Sequence, residues 1–172
     1  MAQTPVGYYE AAIGGRALYL RVHGLASMNN CLCVRNFIEE AFQGGRTFLV
    51  VDLTECTGMD STFMGVLAGA ATFEQKGEPV SVAVVNANEE CLREIEGVGL
   101  QELIMVEPKS FAVPALEFVR LDEQPDEARR LAMIHAAHKK LVSLSDKNEN
   151  LFGPIVAVLE EDMKRRGMKT EG

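Results

Sequence analysis

The chain has 172 residues, 47% of them hydrophobic, and a net charge of −8 at pH 7; this suits one domain with an appendage and a folded core, and excludes a disordered tail. The acidic balance argues against nucleic acid, whose phosphates need clustered Lys and Arg, and Arg129-Arg130, Lys139-Lys140 and Lys164-Arg165-Arg166 each have Asp or Glu nearby, as solvated helix faces do. No run of about 18 apolar residues is present and Met1-Ala2-Gln3-Thr4-Pro5 lacks a basic region followed by an apolar core, so a cytoplasmic chain with no membrane attachment is expected.

In chain order, Tyr8-Tyr9-Glu10-Ala11-Ala12-Ile13 and Ala17-Leu18-Tyr19-Leu20-Arg21-Val22 flank Gly14-Gly15 and read as a hairpin. Alternation in the second run sends Leu18, Leu20 and Val22 to the core face. Ser27 is a plausible N-cap for a helix over 28–43, with Cys31, Val34, Ile38 and Ala41 or Phe42 at helical spacing and Gly44-Gly45 closing it. A strand over 47–53 follows; its unbroken apolar character is what a strand covered on both faces requires, so it is expected at the centre of a sheet.

A helix over 61–75 comes next, with Gly65, Gly69 and several alanines permitting close approach, and Lys76-Gly77-Glu78-Pro79 ending it. Val80-Ser81-Val82-Ala83-Val84-Val85 is a second buried strand, Asn86 or Asn88 caps a helix to about residue 95, and Leu103-Ile104-Met105-Val106 is a last short strand. Strands alternating with helices imply a mixed, mostly parallel α/β sheet of about four to five strands with right-handed crossovers.

Apolar content drops at Leu121-Asp122-Glu123-Gln124-Pro125-Asp126-Glu127, which places a boundary between a domain over 1–120 and a helical extension over 121–172. A helix over 126–145 carries Leu131, Ile134, His138 and Leu141 on one face; a second begins near Pro154, acceptable in a first turn but not within a helix. Each shows one apolar stripe, to be buried against the domain, against the other helix, or against a second copy in a homodimer.

Four cysteines without an export signal argue against a disulfide framework. Cys31 and Cys33, two apart on the expected helix, point about 200° apart and cannot share an ion. His135 and His138 sit three apart with nothing to complete a metal set and read as polar helix-face residues; His23 is expected in a loop. Neither metal nor cofactor is expected. Cys56 and Ser61 show no general base or oxyanion loop at a recognisable spacing, so an enzyme is not expected.

Ser61 stands where the central strand delivers the chain to a helix start, whose unpaired N–H groups and partial positive charge tolerate a phosphate. Read from the residues alone, Asp60 or Ser61 is a helix cap. Val51-Asp52-Leu53-Thr54, followed by Met59, Asp60, Ser61 and Thr62 and then Met64, Gly65, Val66 and Leu67, resembles the STAS domains, named for sulphate transporters and bacterial anti-sigma-factor antagonists. The likeness runs in outline over about 8–119. Phe63 departs from it, for the family usually has Gly there.

The resemblance implies the STAS fold and a protein-binding module without catalytic residues. In anti-sigma-factor antagonists the Ser after that Asp is phosphorylated by an anti-sigma factor that is a serine kinase related to histidine-kinase ATPase domains; here that is Ser61, with Thr62 the second choice. The unmodified domain would bind that kinase and free the sigma factor for transcription, phosphorylation would undo the complex, and a serine phosphatase would restore it. Asp52, Asp60, Ser61, Thr62, Phe63 and Met64 are the implied partner-binding residues, Phe63 either packing into the core or anchoring a different partner. The alternative is a STAS module that binds a ligand or assembles a transporter, lipid-trafficking complex or signalling scaffold without phosphorylation.

Overall fold

Gly15 turns the chain at φ 61°, a left-handed conformation that glycine adopts without steric cost, so that β1 (Tyr8–Gly14) returns antiparallel as β2 (Ala17–Ala26). The computed structural model describes residues 6–107 and 110–170; the Met1–Pro5 segment read above lies outside them. After α1 (Leu32–Gln43), β3 (Phe48–Met59) pairs parallel with β2 and leads into α2 (Ser61–Ala71). A small hairpin, β4 (Glu74–Gln75) and β5 (Glu78–Pro79), precedes β6 (Ser81–Val85), which pairs parallel with β3 on its other side. Then come α3 (Glu89–Gly97), a 3-10 turn (Leu100–Glu102), β7 (Met105–Val106), β8 (Val119–Arg120), α4 (Glu127–Val142) and α5 (Asp146–Arg165).

The main sheet runs in the order β7-β6-β3-β2-β1-β8. It is mixed and mostly parallel, with β3 at its centre as the apolar run demanded: Leu49, Val51 and Leu53 are fully buried. Six strands replace the expected four to five. The addition is β8, paired with β1 through Glu10↔Arg120 and Ala11↔Val119, too short to show a period. β3 continues to Met59 rather than ending at Leu53, because β2 follows it through register shifts between Arg21 and His23 and between Gly24 and Leu25.

Three helix boundaries differ from the sequence reading. Residues after Ser27 form a turn, with the N–H groups of Asn30 and Cys31 both donating to the Ser27 carbonyl, and α1 begins at Leu32 without a side-chain cap. α2 stops at Ala71 rather than 75, because Lys76 (φ 52°) and Gly77 (φ 79°) turn the β4–β5 hairpin. α5 begins at Asp146, capped by the Ser145 side chain, and contains Pro154. One missing N–H does not end a helix held on both sides of it by buried Phe152 and Met163.

α4 and α5 form an antiparallel hairpin laid on α2. Met133, Ala137, Leu141 and Phe152 belong to the same buried cluster as Leu20, Leu53 and Phe63. The buried face of α4 is Met133, His135, Ala137, His138 and Leu141, with Leu131 and Ile134 only half-buried. Asn148 Nδ2 donates to the carbonyls of Val98 and Leu141, each at 2.9 Å, and ties the start of α5 to the end of α3.

Candidate functional site

β3 ends by presenting Asp60 in extended conformation (φ −90°, ψ 173°) as the N-cap of α2. Its Oδ1 accepts the Phe63 N–H at 2.9 Å and its Oδ2 accepts the Met28 N–H at 2.8 Å. One carboxylate thus satisfies an unpaired donor of the first turn and also holds the turn between β2 and α1. Asp60→Ala is expected to cost about 1–2 kcal/mol in urea unfolding. Asp60→Asn, which keeps one acceptor, should fall between that variant and the parent.

Ser61 is the first residue of α2 and half-buried. Its Oγ lies 2.9 Å from Nε2 of His138 on α4, and His138 Nδ1 lies 2.8 Å from the Ile134 carbonyl. A carbonyl can only accept, so Nδ1 carries the ring proton; in the neutral imidazole Nε2 is left as the acceptor and the Ser61 hydroxyl donates to it. His138 is 4% exposed, with the Phe152 ring edge-on at 5.7 Å. His135 is also buried, its Nε2 3.1 Å from Glu160 Oε1. Both histidines depart from the polar helix-face reading, because α4 turns that face toward α2 and α5.

The next three residues point inward. Thr62 is 1% exposed and Met64 5%; Phe63 is fully buried, stacked on Tyr9 with ring centroids 6.0 Å apart and planes 15° apart. Of the two roles considered for Phe63, its ring occupies the core. None of these three offers a free surface here. Burial also holds the Tyr9 phenol well above its usual pKa, with its hydroxyl donating to Asn30 Oδ1 at 2.7 Å.

Asp52 is committed elsewhere in the sheet. Its Oδ1 accepts from the Thr54 N–H at 3.1 Å, the Thr54 hydroxyl at 2.6 Å and Asn86 Nδ2 at 3.1 Å, and its Oδ2 lies 3.8 Å from Arg21 Nε. That carboxylate ties the middle of β3 to the end of β6. Beside Asp60 the surface is apolar: Met28 is 43% and Leu25 50% exposed, and Leu25 pairs with Gly58 across the parallel register. Both were passed over in the sequence reading; they become neighbours of the motif only through that register.

The thiols have separate partners. Cys31 Sγ meets Met133 Sδ at 3.8 Å, whereas Cys33 Sγ meets the Asn30 carbonyl at 3.4 Å. Burial pushes both up, Cys33 to about 12. Cys56 and Cys91 sulfurs lie 3.8 Å apart; the hydrogen bond between them lowers the Cys56 pKa and raises that of Cys91. Among the described residues no group of three His, Cys, Asp or Glu side chains is arranged to hold a metal ion, and no helix is long and apolar enough to cross a membrane.

A mixed, mostly parallel sheet thus delivers the chain from its central strand, through the capping Asp60, to Ser61 at a helix start. The chain belongs to the STAS-domain family: the family model described as Mlab, STAS domain matches residues 10–107. Among solved structures it is similar to an anti-sigma factor antagonist from Mycobacterium paratuberculosis, with 18% identity and a TM-score of 0.53 over 61% of this chain and 88% of that one. A putative anti-sigma factor antagonist from Thermotoga maritima shares 17% identity over 58% of this chain and 86% of that one, with a TM-score of 0.51. At that identity the likeness establishes the fold. No curated protein matches the chain. The family match ends before α4 and α5.

Proposed function

We propose that the chain is an anti-sigma-factor antagonist: a cytoplasmic binding module over 1–120, extended by helices over 121–172, that sequesters a serine-kinase anti-sigma factor of the histidine-kinase ATPase type and releases it on phosphorylation at Ser61. The observation that carries this reading is Ser61 at the start of α2, directly after the capping Asp60, in a STAS domain. Thr62, 1% exposed, is the poorer acceptor. The docking surface is Asp60 and Ser61 together with the exposed Leu25 and Met28. A phosphate adds close to two negative charges beside Asp60, and each 1.4 kcal/mol of repulsion and desolvation weakens the complex about tenfold. A serine phosphatase would complete the cycle, and no catalytic residue, metal or cofactor is required of the chain itself.

The test is incubation with ATP and an anti-sigma kinase encoded in the same genome, followed by intact mass. One added phosphate, abolished by Ser61→Ala, supports the reading; no addition with any such kinase overturns it. The second reading, a STAS module that binds a ligand or assembles a complex without phosphorylation, is favoured by the engagement of Ser61 Oγ with His138. It requires a partner complex unchanged by Ser61→Ala and by Ser61→Glu.

A further inference from the structure

We infer that the outer face of α2 is a docking surface occupied in cis by the chain's own α4–α5 hairpin, and that a phosphoryl group on Ser61 and the docked hairpin exclude one another. This deepens the proposed function and rests on it for the identity of the modified atom; the helices concerned lie beyond the family match.

Two contacts define the occupied face, and a third joins the hairpin's own helices behind it. Ser61 Oγ is 2.9 Å from His138 Nε2, an ordinary hydrogen-bond distance that leaves no room between the two atoms. One turn along, a Cβ built on Gly65 would lie 2.6 Å from the Ala137 carbonyl carbon and 2.7 Å from its Cβ, so the two helix backbones meet with nothing between them. The His138 ring is also packed edge-on with Phe152 of α5, which couples the imidazole to the second helix. On the other side of Ser61 the Asp60 carboxylate is fixed by two N–H donors and repels added negative charge.

Phosphorylation of Ser61 forms an Oγ–P bond, breaks the bond between the γ-phosphorus and the diphosphate leaving group, and passes the serine proton to a base. In the docked state that proton is directed at His138 Nε2. The new phosphorus and its three oxygens need the volume that the imidazole fills. A kinase therefore reaches Ser61 when α4 is lifted, and the phosphate, once present, keeps α4 from returning. Any external protein that docks on α2 competes with the same hairpin, and its apparent affinity falls by the fraction of molecules that are open.

The experiment installs phosphoserine at position 61 of the full chain by codon reassignment and follows amide hydrogen exchange, with Ser61→Glu as a second form. The expected result is at least tenfold faster exchange in α4, with β3 and β6 as protected as in the unmodified chain. Unchanged or slower exchange in α4 would mean that the phosphate is accommodated, gripped by His138, and overturns the proposal. Equal acceleration of α4, β3 and β6 would mean general destabilisation and also overturns it. Because the phosphoserine is incorporated during translation, the result is independent of whether any kinase modifies Ser61, which only the intact-mass test decides.

Discussion

Phe63→Ala is expected to lower the unfolding free energy by about 4 kcal/mol, the range for truncating a fully buried aromatic ring in a core that cannot collapse around the gap. The ring is completely inaccessible and stacked on Tyr9, itself 1% exposed, with the planes nearly parallel. Against a typical total of about 5–15 kcal/mol, that loss is large. Phe63→Gly, which restores the family's usual residue, should be worse by about a further 1 kcal/mol, since glycine inside a helix is less favourable than alanine. Urea unfolding followed by circular dichroism reads the change. A loss below about 1 kcal/mol for Phe63→Ala would show that the ring does not hold α2 against β1. The departure from the family pattern at this position is thus explained by volume: α2 rests on Tyr9 through a phenyl ring, where a glycine would leave a cavity.

What could be read from the chain alone follows from how local each signal is. The β1–β2 turn, the core face Leu18, Leu20 and Val22, the centrality of β3 and an asparagine cap for α3, which falls on Asn88 of the two candidates, all come from patterns spanning a few residues, and all are present. The errors arise where a distant element decides. Ser27 has the chemistry of an N-cap, yet Asp60 takes the Met28 N–H and Asn30 Oδ1 takes that of Ser27, so the turn persists and α1 starts later. Pro154 signals a helix start, but packing along α5 overrides it. His138 is the most consequential misreading. Its spacing with Leu131, Ile134 and Leu141 set it on the apolar stripe of its helix, but its partner depends on α4 crossing α2 so that two side chains 77 residues apart meet.

The site shows the same division. Asp60 and Ser61 were identifiable because a cap and the residue after it are defined by the helix they begin. The inward direction of Thr62, Phe63 and Met64 was not, because α2 is apolar almost all the way round and its sequence does not say which faces are covered. The sheet covers one side and the hairpin another. A helix enclosed in this way must present small residues wherever its neighbour comes close, and the two glycines of α2 are not equivalent in that respect.

Gly65→Ala is accordingly expected to destabilise the protein by about 1–3 kcal/mol, the usual cost of forcing extra volume into a packed contact. The added methyl meets the carbonyl and Cβ of Ala137, which are held in α4 and cannot rotate aside. Relief comes only by moving α4 off α2, so the loss should be concentrated in the hairpin, with faster amide exchange in α4 than in β3. Gly69→Ala, one turn further along the same helix, is the matched control. A Cβ there meets nothing within 4 Å, and the residue borders a cavity of about 170 Å³ between α1, α2 and α4. With no clash to offset it, the higher helix propensity of alanine should stabilise by about 0.5–1 kcal/mol. Opposite signs for two identical substitutions four residues apart would locate the close approach of the hairpin at Gly65. A neutral or stabilising Gly65→Ala would show that α4 does not rest on α2 at that position, and the exclusion between hairpin and phosphate would lose its geometric basis.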